Sequence, residues 1–497
     1  MHLLQPHQHA RRAFLKRSAQ LALSGSALPL ALNLAAVGEA AAFNATAGDY
    51  KALVCVFLYG GNDYANTVLP YDNASYDLYS TIRGGGPGRT AGGIALAQSG
   101  LLPTLLVPTA APTDALGSAS RQFALNPAMG ALAGLFNAGH AAVQLNVGPL
   151  VKPLTRDQYN SSNHVLNPRP PQLFSHNDQQ SIWQSSSPEG STVGWGGNMG
   201  DLALGLNTAS TFTCMSVTGN AVFLSGDTAL QYQVTTGGAI RINSAALGTS
   251  VYGSTAVSTA MHALLQQSRS HVLENEYNKV STRALAAEGL VTSALGLAPP
   301  TTVFAADSLA QQLKMVARLI KGRGTLGAQR QVFLVSQGGF DLHDNLIRDH
   351  GGLLGKVSEA MAAFYNATVE LGVANQVTAF TASDFGRTLA SNGDGSDHGW
   401  GSHHLVVGGA VNGARFYGTA PPISTSDAKT GAAYNPENQW HVGQGRLLPT
   451  TAVDQYAATL AKWFGVAPGE MAGVLPNSVN FGAAAPSYPI DLGFMQP

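Results

Sequence analysis

The sequence is short of charge, of cysteine and of basic clusters. Only 11% of its 497 residues are Asp, Glu, Lys or Arg, against about 25% in ordinary soluble proteins. The body of the chain has no run of Lys and Arg. The electrostatic footprint that holds a phosphate backbone is therefore missing, and nucleic acid is not an expected partner. Two cysteines, Cys55 and Cys214, are too few for a disulfide scaffold. Cys55 lies in the apolar run "ALVCVFL" and reads as a small core residue, while a Cys55–Cys214 bridge stays open for an oxidising compartment. No CxxC or haem-attachment pattern occurs, and no glycine-rich turn sits between a strand and a helix as a dinucleotide fingerprint requires. A redox protein is disfavoured on those grounds. Beyond the first 42 residues there is no apolar run of about 20 residues, so no stable membrane span is expected.

The remaining composition describes a large, loop-rich, weakly charged chain, with 57 glycines and a formal net charge of −1. Residues 1–42 have the layout of a Tat-type signal peptide. Arg11 and Arg12 open "RRAFLK", a mildly apolar stretch broken by Pro29 and Asn33 follows, and an Ala-x-Ala site stands at Ala40–Ala42. This predicts export through the Tat machinery to the periplasm or beyond. An uncleaved anchor is the competing reading.

Residues 43–497 are expected to form a single α/β domain, with insertions at about 82–120 and 205–260. Three apolar β-runs end alike, in glycine or serine followed by acid: "KALVCVFLYGGND" (51–63), "QVFLVSQGGFDLHDN" (331–345) and "QVTAFTASDFGRT" (376–388). Helical periodicity over 306–322 and 351–372 precedes the second and third, which predicts parallel βαβ units. A closing helix is predicted over 454–465, and one long amphipathic helix over 258–288. In such sheets the functional groups gather beyond the carboxyl ends of the strands.

Asp341 and His343 stand two apart after the second strand, so extended backbone would put both on one side. The alternative is a turn capped by Asp341. Asp397, His398, His403 and His404 lie in "DHGWGSHH", where Gly399 and the preceding Gly395 permit the bends that let neighbours converge. Of His403 and His404, only one can face a strand-end site, and His403 is the expected ligand. Five histidines, His343, His350, His398, His403 and His404, crowd one segment of the chain. His350 is expected on a helix surface. Asp63 and Asp384 end the first and third strands, where either could equally be an ordinary turn residue. Arg387 could hold an oxyanion through its fork of donors or pair with Asp384. In "LFSHNDQQSIWQ" (173–184) Ser175 is a nucleophile candidate or a helix N-cap, and Thr67 is a weaker nucleophile. "GWGGNMGD" (194–201) reads as a glycine-rich turn. Mixed Asp and His donors suit Zn or Mn better than Ca or Mg.

These stretches, together with "GGNDYANTVLPYD" and "GRLLPTTAVDQYAATLAKWFGV", resemble the exported bacterial family called domain of unknown function 1501, over nearly all of residues 43–497. The resemblance implies the fold of the alkaline phosphatase and sulfatase superfamily, a largely parallel sheet between helices with divalent metals at the strand ends. The matching ligands would be Asp63, Asp341, His343, Asp384, Asp397, His398 and His403. The sequence departs from that pattern. Phe385 stands where a histidine should follow Asp384, with His398 as its expected substitute. A Cys/Ser-x-Pro-x-Arg signature is absent. The resulting expectation is an exported metal-dependent hydrolase of phosphate or related esters, with a small-molecule or polymer ester as substrate. The rival is a non-catalytic binding or assembly protein on the same fold.

Overall fold

The computed structural model describes Phe43 and residues 49–117, 121–426, 439–482 and 488–496. The signal-peptide expectation for residues 1–42 lies outside them.

Among the described residues ten strands form one sheet: β1 (Lys51–Leu58), β2 (Ala141–Gly148), β3 (Cys214–Ser216), β4 (Tyr232–Thr235), β5 (Gly238–Ala239), β6 (Arg330–Gln337), β7 (Val377–Ser383), β8 (Ser402–Gly408), β9 (Arg415–Tyr417) and β10 (Thr451–Ala452). Their order is β9-β2-β8-β7-β1-β6-β3-β4-β5, with β10 also on β2. β1 is the centre, parallel to β7 on one side and β6 on the other. β8 runs against both β7 and β2, and β5 runs against β4. The protein is thus a mixed α/β fold around a large, mostly parallel sheet.

The three strands read from the sequence as continuous apolar runs are buried on both faces, as parallel strands between helices must be. Along β1 the side chains alternate. Ala52, Val54, Val56 and Leu58 join one apolar cluster, and Leu53, Cys55 and Phe57 join the other. Among the described residues the α-helices of eight residues or more are α1 (Asn73–Arg83), α2 (Gly130–Asn137), α3 (His176–Ser185), α4 (Trp195–Ala203), α5 (Thr255–Gln266), α6 (Val272–Leu295), α7 (Ser308–Lys321), α8 (Leu346–Glu370) and α9 (Val453–Phe464). The first cluster takes in α2, α7 and α8; the second takes in α4, α9 and Trp183 of α3. In α7, Leu309, Leu313, Val316 and Ile320 form the buried stripe. Asp307 caps its first turn by accepting from Ala310 N–H at 3.0 Å. In α9 only Lys462 is exposed, and Asp454, Gln455 and Thr459 are buried among its apolar side chains.

Residues 205–260 supply β3, β4 and β5 to the main sheet, and Thr113–Asp114, within 82–120, pairs with Thr419–Ala420. The predicted helix at 258–288 is two helices, α5 and α6. The break is sealed by Asn278, whose side-chain amide donates to the carbonyls of Leu264 and Gln267 at the end of α5. "GWGGNMGD" is mostly helix α4, not a turn. Its glycines admit backbone: a Cβ on Gly197 would stand 2.1 Å from Ser225 C. Cys55 and Cys214 are both free and buried. No helix among the described residues is long and apolar enough to cross a membrane.

Phe380 on β7 packs against Trp195 and Tyr456, with ring centroids at 5.7 and 5.9 Å. Phe380→Ala is expected to lower stability by about 3–5 kcal/mol, read as a shift in the denaturant midpoint.

Candidate metal centre

Beyond the carboxyl ends of β1, β6 and β7, three loops touch backbone to backbone. Gly60 has φ +117°, and a Cβ there would meet Asp341 N at 2.3 Å. A Cβ on Gly395 would meet the His343 carbonyl at the same distance. Residues 386–388 and 397–400 form a short antiparallel ladder: Gly386 N–H donates to Trp400 O, Gly399 N–H to Gly386 O and Thr388 N–H to Asp397 O. The ladder sets Arg387 opposite His398. The first turn of α3 brings in His176.

Three imidazoles meet one carboxylate here, and each ring is oriented from behind. His176 Nδ1 donates to Asp384 Oδ2 at 2.6 Å. His398 Nδ1 donates to the Phe174 carbonyl at 2.7 Å. His343 Nδ1 donates to Asp397 Oδ1 at 3.3 Å. A carbonyl or carboxylate only accepts, so each Nδ1 carries a hydrogen, and in the neutral ring each Nε2 then keeps its lone pair. Those lone pairs face one another. His343 Nε2 and His398 Nε2 are 2.9 Å apart. Asp341 Oδ1 lies 3.0 Å from the first and 3.3 Å from the second, and Asp341 Oδ2 lies 3.3 Å from His176 Nε2. His176 Nε2 is buried with no hydrogen-bond partner. One donor atom each from His176, Asp341 and His398 falls within 4.8 Å of the others. Acceptors so close repel unless a cation or a shared proton stands among them.

The donor set passes a test for metal fit. Ligands about 2.0–2.1 Å from one tetrahedral ion stand roughly 3.3 Å from each other; the separations here run from 2.9 to 3.3 Å, at or just below that value. Histidines held at the far nitrogen by a carboxylate or carbonyl are the usual outer support of a metal ligand. Imidazole with carboxylate suits Zn or Mn.

Electrostatics follow from the same contacts. The Asp384 hydrogen bond, with Asp384 fully buried, raises the His176 pKa above the ordinary imidazole value. Burial lowers that of His398. Burial works to raise the Asp341 carboxyl, but the hydrogen bond and charge of Arg387 outweigh it and leave the group below the usual range. Phe385, standing where a histidine was expected, floors the site and packs on the rings of both His176 and His398. Asp341, His343, His176 and His398 all keep partial solvent exposure, so the centre is open on one side.

The seven predicted ligands therefore separate. Asp341, His343 and His398 converge. Asp384 and Asp397 stand behind histidines. Asp63 and His403 are elsewhere. Asp63 is buried in an ion pair with Arg83 at 2.5 Å, and its other partners are Ser396 Oγ and Asn66 N–H. His403 takes Asn146 N–H on Nδ1 at 3.0 Å and packs edge-on against Tyr64. The strand pleat turns it away from the centre. The ring that partners Asp384 is His176, not His398. Its segment had been singled out, but its remoteness in sequence hid the partnership, and Gln180 one turn on adds a second bond to Asp384 Oδ2 at 2.7 Å.

The two predicted catalytic side chains are also otherwise engaged. Ser175 is the N-cap residue of α3, and its hydroxyl donates to Asp178 at 2.9 Å. Arg387 is fully buried. It pairs with Asp341 Oδ1 at 2.6 Å and donates further to the Gly60 carbonyl and to the carbonyl and hydroxyl of Ser396. It positions a carboxylate and is not free to hold an oxyanion. Its pairing is with Asp341, not Asp384. Thr67 is buried and donates to the Asp63 carbonyl. His350 is buried rather than on a helix surface, its Nε2 2.9 Å from Asn62 Oδ1.

Burial depresses His350 to about 4 and His403 and His404 to about 3. Unfolded imidazole takes its proton near 6.5. Their contribution to stability is therefore complete above pH 6.5 and is lost as pH falls toward the folded values. Each costs up to about 1.4 kcal/mol per pH unit across that window. The urea midpoint should fall steeply between pH 6.5 and 4, and His403→Gln should flatten that fall.

No curated protein matches the sequence. Among solved structures, that of "Ps i-CgsB in complex with k-i-k-neocarrahexaose" is similar at 8% identity and a TM-score of 0.33, over 89% of this chain and 77% of that one. A likeness at that level carries no argument. The family described as "Protein of unknown function (DUF1501)" matches residues 50–438, most of the chain, and the chain belongs to that family.

Proposed function

We propose that this is an exported, metal-dependent hydrolase of phosphate or related esters, on an alkaline phosphatase- or sulfatase-like fold. The observation that carries the reading is the set of three imidazole Nε2 lone pairs turned on the Asp341 carboxylate, each ring fixed from behind. His176, Asp341, His343 and His398 would hold Zn or Mn. A bound divalent metal supplies Lewis acidity and a more acidic water.

The chain's own groups set the stage for that chemistry. Asp384 and Gln180 fix His176, Asp397 fixes His343, and the Phe174 carbonyl fixes His398. Arg387 holds Asp341 ionised and in place. Phe385 closes the floor to water, while the open side admits substrate. The described residues offer no free serine or threonine beside the centre, so the attacking group is assigned to water. That same lack favours a second reading, a non-catalytic metal-binding or assembly protein on this fold.

Metal analysis of the purified chain, followed by a screen of phosphate mono- and diesters and sulfate esters, tests both. His398→Ala and His343→Ala should each lose bound metal and any esterase activity. Asp384→Asn, which weakens the support of His176 and the acceptor that Gln180 and Gly60 N–H share, should weaken metal affinity about 10–100-fold while leaving the melting transition cooperative. Absence of metal from the wild-type chain after incubation with excess Zn²⁺ or Mn²⁺ would sink the metal reading. Bound metal without turnover would favour the binding protein.

A further inference from the structure

Resting on the metal-centre reading above, we infer that the centre takes a single divalent cation, and that guanidinium groups stand where a second would sit. The resemblance noted from sequence placed ligands after the first strand as well, as a two-metal site would need. Here those positions are filled from within. Asp63 Oδ2 receives Arg83 Nη2 at 2.5 Å and the Ser396 hydroxyl at 3.0 Å, and Oδ1 receives Asn66 N–H at 3.0 Å. Asp384 Oδ2 receives His176 and Gln180, and Oδ1 receives Gly60 N–H at 3.2 Å. Asp397 Oδ1 receives His343 and the Asn392 amide at 2.9 Å. The donors that remain are the three imidazole Nε2 atoms and Asp341, whose Oδ1 receives Arg387 Nη1 at 2.6 Å and whose Oδ2 faces His176 Nε2 at 3.3 Å; of these, His176, Asp341 and His398 lie within 4.8 Å of one another, room for one ion.

Arg83 and Arg387 are also linked. Ser396 donates to Asp63, which Arg83 holds, and accepts from Arg387, which reaches Asp341. Both guanidinium groups are fully buried. A second dication beside Asp63 would have to displace Arg83 and approach Arg387 against like charge. Arg387 thereby becomes a positioning residue with an electrostatic duty, a fixed positive charge on the Asp341 oxygen that also faces His343 and His398.

The test is stoichiometry on the whole purified chain. It is loaded with Zn²⁺ or, separately, Mn²⁺, freed of loose ion, and measured for metal per chain; the Mn²⁺ form is also read by electron paramagnetic resonance. One metal per chain and an uncoupled Mn²⁺ spectrum are expected. Two metals per chain, or a coupled spectrum, would overturn the inference while leaving the metal-centre reading intact. No bound metal would remove that reading and this inference with it. Asp63→Asn, if it folds, should still bind one metal per chain; a fall toward zero would make Asp63 a ligand and overturn the inference independently of the wild-type count.

Discussion

The carboxylate of Asp341 is the point on which the site depends. It faces the Nε2 atoms of three histidines, and Arg387 holds it through Oδ1. Everything around it reduces the freedom of those five side chains. Outer acceptors fix the tautomers, Phe385 fixes two ring planes, and glycines let the loop backbones approach closely. The result is a patch of lone pairs kept together against their mutual repulsion. Such an arrangement is poor as a way of holding a protein together and good as a way of receiving a cation. The support therefore comes from the sheet and not from the cluster.

The scaffold was largely legible in the residues. Continuous apolar runs such as "ALVCVFL" can be satisfied only between two helical layers, and the helix periods before β6 and β7 required parallel crossovers. Both readings hold in the structure. The same local logic failed at 258–288, where helical spacing runs on through Gln267–His271 but the chain breaks. It failed again at 194–201, where glycines looked like a turn and serve close helix packing. In each case a tertiary contact, Asn278 on α5 or Ser225 on Gly197, decided what the local pattern left open.

The site was legible only in part, for a related reason. Spacing along the chain pointed correctly to Asp341, His343 and His398, since they sit in adjoining strand-end loops. It could not separate Asp63 from them, because only Arg83 on α1 decides that Asp63 is an ion-pair partner and not a ligand. Nor could it pair His176 with Asp384, 208 positions apart. Pairing of that kind is a property of how α3 lies over the sheet.

The topology also has a consequence for synthesis. β1 is the central strand, yet both neighbours, β6 and β7, are made more than 270 residues later. As the chain emerges, an apolar strand with two unsatisfied edges must wait for the last third of the protein. Unpaired strand edges of this kind invite association with other chains. Until β6 and β7 close around it, the newborn protein also has no centre, since Asp341, His343 and His398 all follow β6. The strand order therefore sets how long that apolar strand stays open to association before the fold can close.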